Sequence, residues 1–283
     1  MNRNRRYNKV NMIVGTIILG MAILVSNSSF AQQQRPPLTE VLLKKYMNLP
    51  EKQRIAENKR FLEMFDGVRV ADVRDAMDWY GYINYGSVDP AVRPLFRTYA
   101  LGIARTARYL PYVGPNTLER GDEYTKWQDL YYSEICTYQW QDEIEDGDFM
   151  AIDVSGVNVG LLGSSNTLHC LLKGVRGFVT NGSGVRDTDE CILQKIPIWS
   201  HFVSQAMVQG RIQFDATQIP VNIGGVTVFP GDIIIADGDG VIVVPRGVAE
   251  VVAKFARWML GEDKDGRKAL YEKLGWDLDN TVK

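Results

Sequence analysis

Residues 181–187 read Asn-Gly-Ser-Gly-Val-Arg-Asp, a glycine-rich turn that runs into an adjacent guanidinium and carboxylate. Glycines let backbone N–H groups come close to a ligand. Arg186 offers a two-pronged donor for a carboxylate or ketone oxygen. Asp187 offers a hard oxygen to Mg2+, which keeps several waters and takes only one or two protein carboxylates. The plainer use of the same residues is a surface ion pair, or Asp187 as the N-cap of a helix with Glu190 completing a capping box. A second cluster, Gly160-Leu161-Leu162-Gly163-Ser164-Ser165-Asn166, directly precedes an apolar helix. Unpaired N–H groups and the positive helix end would suit a carboxylate there, and ordinary capping by Ser or Asn is the alternative.

Other chemistry-bearing residues point to structure. Asp237-Gly238-Asp239-Gly240 reads as a tight turn between strands, since it lacks the remaining ligands and closing Glu of a calcium loop. His169, in an apolar helix, and His201, near Trp199, have no partner at metal spacing and read as structural. Ser164 and Ser165 sit in no nucleophile elbow, and no Gly-x-Gly-x-x-Gly or P-loop pattern follows a strand.

The elements that must position these groups follow from hydrophobic periodicity. Glu51–Met64 carries Ile55, Phe61, Leu62 and Met64 at helical spacing, and Gly67 ends it. Val70–Met77 begins a second helix, with Asp72 as the expected N-cap. Ala100–Tyr109 reads as a strand, and Gly114–Gln141 as a polar, aromatic helix plus loop. Short buried strands are expected at 149–153, 177–180 and 196–199, with an apolar helix at 167–173 and a strand-rich stretch at 219–245. Val248, Val251, Val252, Phe255, Trp258 and Met259 make a helical stripe. Gly147-Asp148 and Gly231-Asp232 each precede a four-residue apolar strand ending in Asp, which is ordinary turn chemistry and supports a layered β core covered by helices.

The 283 residues are 45% hydrophobic and 23% charged, enough for one large domain or two small ones. A net charge of −2 argues against a nucleic-acid partner. Residues 1–31 read as an export signal: Arg3, Arg5, Arg6 and Lys9, then an apolar run from Met12 to Val25, then Ser29-Phe30-Ala31. The run is short of the roughly 20 residues that span a bilayer, and an uncleaved membrane anchor is the alternative. Cleavage would leave a chain of net charge −6 in the periplasm or outside the cell. Residues 32–50 read as a flexible leader, 51–262 as the folded domain and 263–283 as a charged surface tail. Cys136, Cys170 and Cys191 form no Cys-x-x-Cys pair and are expected to be buried thiols without a disulfide.

Taken in order, several segments resemble one family. They are residues 67–77, Gly147-Asp148, Gly163-Ser164-Ser165-Asn166, residues 177–187, and the run from Gly224-Gly225 through Pro230-Gly231-Asp232 and Asp237 to Pro245. The chain resembles the RraA-like family, the regulators of ribonuclease E activity A and the 4-hydroxy-4-methyl-2-oxoglutarate aldolases, over about residues 54–260. The resemblance implies an α/β fold, a swivelling β/β/α domain, assembled as a homotrimer or hexamer with sites between subunits. It implies a class II, Mg2+-dependent (or Mn2+-dependent) lyase that releases pyruvate from a small 2-oxo or hydroxy acid, with oxaloacetate decarboxylation as a side activity. By position it assigns Asp187 to the metal and Arg186 to the keto oxygen and carboxylate. It assigns Gly163, Ser164, Ser165 and Asn166 to the substrate carboxylate, and it makes Glu262 of a neighbouring subunit a candidate contributor. The chain departs from the family in one respect that bears on chemistry. Family aldolases carry Gly-Asp-Leu-Leu where this chain has Gly163-Ser164-Ser165-Asn166, and Ser is no base at ordinary pKa. The alternative is a non-catalytic oligomeric binding or regulatory protein on the same fold.

Overall fold

The computed structural model describes residues 45–115 and 122–283. The expected export signal and most of the leader lie outside the described residues. Among the described residues no helix is long and apolar enough to cross a membrane.

Among the described residues there are ten strands: β1 (Arg93–Pro94), β2 (Ala100–Pro111), β3 (Asp148–Asp153), β4 (Gly177–Asn181), β5 (Ile198–Ser200), β6 (Ile212–Thr217), β7 (Val221–Ile223), β8 (Val226–Val228), β9 (Ile233–Ala236) and β10 (Val241–Val244). The helices that accompany them are α1 (Glu51–Phe65), α2 (Val70–Trp79), α3 (Asp122–Leu130), α4 (Ser164–Leu172), α5 (Thr188–Leu193) and α6 (Ala249–Leu274). The main sheet runs β1-β5-β4-β3-β2-β9-β10, with β6 also paired to β2; β7 and β8 form a separate hairpin. β2, β3, β4 and β5 are parallel, and the remaining pairs in the sheet are antiparallel.

The alternation of side chains along the strands builds the layers. Ala100, Ala104, Phe149, Ala151, Val179, Ile234 and Val243 face the β7–β8 hairpin and make the inter-sheet core. The opposite face is covered by helices in two parts. Leu101, Ile103, Ile233, Ile235, Ile242 and Val244 meet α1, α2 and α6. Ala107, Met150, Ile152 and Phe178 meet the segment from Tyr131 to Trp140 and helices α4 and α5. Both faces being covered explains why β9 and β10 are apolar at every position.

The repeated Gly-Asp turns are the same device twice. Asp148 Oδ2 accepts the Glu145 N–H at 2.7 Å, and Asp232 Oδ2 accepts the Phe229 N–H at 3.0 Å. Gly147 and Gly231 take φ of 94° and 89°, where only glycine is unstrained. Asp237-Gly238-Asp239-Gly240 connects β9 to β10 as expected. Asp237 also accepts the Val70 N–H at 2.9 Å, so the turn caps the start of α2.

Three expectations need adjustment. The N-cap of α2 is Arg69, and Asp72 is its third residue, accepting the Arg69 backbone N–H at 3.1 Å. Tyr46, inside the expected leader, is 5% exposed, with the Arg246 guanidinium 4.5 Å above its ring. Helix α6 runs through residue 262 to Leu274, so the charged stretch is helical, and Arg267 donates to the Thr281 carbonyl beyond it. His169 and His201 are exposed.

Cys136, Cys170 and Cys191 are buried and unpaired. Burial pushes the Cys136 and Cys170 thiols up to about 12 and that of Cys191 up to about 11, so all three stay protonated.

Tyr109 anchors the aromatic segment. Its buried hydroxyl donates to the Thr137 carbonyl and accepts Trp140 Nε1–H, both at 2.7 Å. Tyr109→Phe should leave both partners unsatisfied and cost about 1–3 kcal/mol. Denaturant unfolding checks this, and a loss below about 0.5 kcal/mol would contradict it.

Candidate functional site

The two sequence clusters meet. A local parallel ladder joins them: Leu162 N–H donates to the Gly184 carbonyl at 2.7 Å, and Arg186 N–H to the Leu162 carbonyl at 2.9 Å. The Ser204 N–H completes the far side by donating to the Val185 carbonyl at 2.8 Å. Residues 160–166 and 185–187 are therefore held in fixed register by backbone bonds.

Gly160 and Gly163 stand where the Arg186 and Asp187 side chains come close to the backbone. A Cβ on Gly160 would lie 2.6 Å from Arg186 Cβ and 2.7 Å from its Cγ, because the arginine stem crosses that backbone. A Cβ on Gly163 would lie 2.5 Å from Asp187 Oδ2. The Asp187 carboxylate thus stands directly against the residue that starts α4. No side chain caps that helix start, which leaves the N–H groups of its first turn without a side-chain acceptor.

Asp187 also departs from the capping role. It stands at the N-cap position of α5, but with φ 55° and ψ 44°, and it makes no side-chain cap hydrogen bond. A left-handed conformation is uncommon outside glycine, though Asp tolerates it better than most residues. The carboxylate bonds Arg186 Nε at 3.1 Å instead, and both side chains are a little over one-third exposed. The capping box with Glu190 does not form. The turn before the pair is fixed from within: Ser183 Oγ accepts the Val159 N–H at 2.8 Å, and Thr180 Oγ1 donates to the Ser183 carbonyl at 3.1 Å.

Ser164 and Asn166 are half-buried and Ser165 is exposed. Thr167 Oγ1 donates to the Gly163 carbonyl at 2.9 Å, steadying the first turn from below. Glu262 is exposed on α6, which packs on α1 and α2 at the other part of the sheet, and none of its described bonds reaches Arg186 or Asp187. Among the described residues no group of three or more His, Cys, Asp or Glu could form a metal cage. Sequence reasoning passed over Tyr138, whose hydroxyl donates to the same Leu161 carbonyl as Asn166 Nδ2. The only sequence signal for it was the density of aromatics between Trp127 and Trp140.

A mixed α/β sheet, a β hairpin packed on one face, and an Arg-Asp pair set against an uncapped helix start define the class. Residues 70–243 match the family described as RraA-like: Aldolase/RraA, and the chain belongs to that family. A Halalkalibacterium halodurans protein named "Putative 4-hydroxy-4-methyl-2-oxoglutarate aldolase" is 26% identical over 221 residues, covering 76% of this chain and 90% of that protein. A solved structure of a Pseudomonas syringae pv. tomato protein superposes with a TM-score of 0.60 at 26% identity, covering 80% of this chain and 98% of that one. Streptomyces coelicolor RraAS2, described as an unusual member of the RNase ES inhibitor RraA protein family, shares the fold. Its TM-score is 0.59 at 23% identity, over 74% of this chain and 96% of that one.

Proposed function

We propose that the chain is an exported, divalent-cation-dependent lyase that cleaves a 2-oxo acid to release pyruvate. The observation that carries the reading is the Asp187 carboxylate, held in a left-handed turn against the Gly163 backbone and used for no cap. The aldolase name of the Halalkalibacterium halodurans relative supports the same reaction class. The donor set fits Mg2+ or Mn2+: one accessible carboxylate suffices for a hard cation that keeps its waters. Bound there, the cation would supply Lewis-acid stabilisation of negative charge on the substrate oxygen.

The chain's own residues carry the rest. Arg186 would bind the keto oxygen and the neighbouring carboxylate as a two-pronged donor. The N–H groups of Ser164, Ser165 and Asn166 would orient that carboxylate at the positive end of α4. In oxaloacetate the C3–C4 bond breaks and carbon dioxide leaves. The electron pair passes to C3 and the keto oxygen, and a solvent proton then reaches C3. No protein base is needed. Aldol cleavage needs a base to take the 4-hydroxyl proton, and Ser164 supplies none. Decarboxylation should therefore outpace aldol cleavage in this chain. Sites between subunits of a homotrimer or hexamer, with Glu262 from a neighbour, belong to the same proposal.

Purified protein with Mg2+ should release pyruvate from oxaloacetate, and a chelator should stop it. Turnover unaffected by the chelator, or none with any divalent cation, would reject the lyase. Ser164 favours a second reading, a non-catalytic small-acid binder. Tight binding of Mg2+ and oxalate without turnover of any 2-oxo acid would select it.

A further inference from the structure

Tyr138 belongs to none of the glycine or Arg-Asp motifs. It precedes the short 3₁₀ helix Gln139–Glu143 and follows a π-helical turn at Tyr131–Ile135. Its ring is wedged among Tyr109, Tyr132 and Trp140, with centroids 6.5, 6.3 and 6.0 Å away. That packing aims the phenol at the loop that leads into α4. The hydroxyl donates to the Leu161 carbonyl at 3.4 Å, and Asn166 Nδ2 donates to the same oxygen at 3.3 Å. The Tyr138 hydroxyl and the Asn166 amide therefore meet on one carbonyl oxygen. Burial holds the phenol well above the usual tyrosine range, so it remains a donor at any physiological pH.

We infer that Tyr138 is a positioning residue: through Leu161 and Asn166, its hydroxyl fixes the Gly163–Asn166 turn opposite Arg186 and Asp187. Leu161 is itself 1% exposed, so its carbonyl has few alternatives to these two donors. With that carbonyl pinned, the short chain from Leu161 to Gly163 has little freedom to rotate, and Asn166 is held on the ligand side. The ligand, a pyruvate-type 2-oxo carboxylate, rests on the function proposed above, whereas the positioning is a property of the free protein.

Tyr138→Phe keeps the ring and removes the hydroxyl, so the aromatic packing should survive and the melting temperature should stay close to wild type. Two measurements test the inference. In the free protein, amide hydrogen exchange should quicken about tenfold and only over residues 161–167. In a titration with oxalate and Mg2+, affinity should fall about tenfold, and adding Asn166→Ala to Tyr138→Phe should weaken it little further. Unchanged exchange at 161–167 would overturn the inference, and so would wild-type oxalate affinity in Tyr138→Phe. Additive losses in the double variant would overturn it too, by placing the two residues in separate roles. A wild-type protein that binds no oxalate would reject the proposed function instead, and the exchange result would still decide the role of Tyr138.

Discussion

Asp187→Ala should lower Mg2+-dependent pyruvate release from oxaloacetate by about a hundredfold or more, the range seen when one preorganised electrostatic group is removed. The reason is the position of the group: the Asp187 carboxylate is drawn against Gly163 at the helix start, and among the described residues no group of three or more His, Cys, Asp or Glu could hold the cation instead. The alanine variant changes the backbone as well as the charge. Position 187 has φ 55°, where a Cβ without a compensating polar group costs about 1–2 kcal/mol. Asp187→Asn separates the two effects, because Asn tolerates the left-handed region and matches Asp in size. The Asn protein should melt near wild type and still lose the metal-dependent rate. Full activity in either variant would mean that the carboxylate only shapes the turn. Titration of Mg2+ by calorimetry, with heat lost in both variants, would tie the rate to the cation.

The legible parts of the fold were those where burial leaves one choice. Continuous apolar runs at β3, β4, β9 and β10 announced strands covered on both faces, and the Gly-Asp turns announced their starts. The two glycine-containing clusters could be named from the sequence, but the ladder between Leu162 and Val185 that joins them could not. What the sequence left open was how Asp187 would be used. Capping and ligand binding call for the same residue beside the same helix, and the left-handed backbone without a side-chain cap speaks only against capping. Asp72 was misplaced for a related reason: an acid in the first turn favours a helix start from the third position as well as from the cap. The stretch from Gly114 to Gln141 could not be resolved, since its aromatics follow neither helical nor strand period. In the structure they pack on one another through α3, a π turn and a 3₁₀ turn. That irregularity is also why Tyr138 escaped notice.

Gly163→Ala should damage the site nearly as much as loss of the carboxylate while leaving the fold almost untouched. Gly163 has φ −108° and ψ 175°, extended backbone that alanine adopts freely, so no conformational strain is expected. The added methyl would lie 2.5 Å from Asp187 Oδ2, well inside van der Waals contact. The nearest atom is the end of a side chain, so the conflict can be relieved by turning the carboxylate, at a stability cost below about 1 kcal/mol. Turning it, however, breaks the bond to Arg186 Nε and moves the oxygen away from the helix start. Binding of Mg2+ and oxalate should fall by about ten- to a hundredfold, the penalty typical of a displaced metal-site partner. Gly160→Ala, set against the stem of Arg186, should weaken oxalate more than the cation, because it moves the guanidinium and leaves Asp187 in place. Parallel calorimetry on the two variants distinguishes these effects. If Gly163→Ala bound both ligands as wild type does, the close approach of Asp187 to the helix start would have no part in recognition.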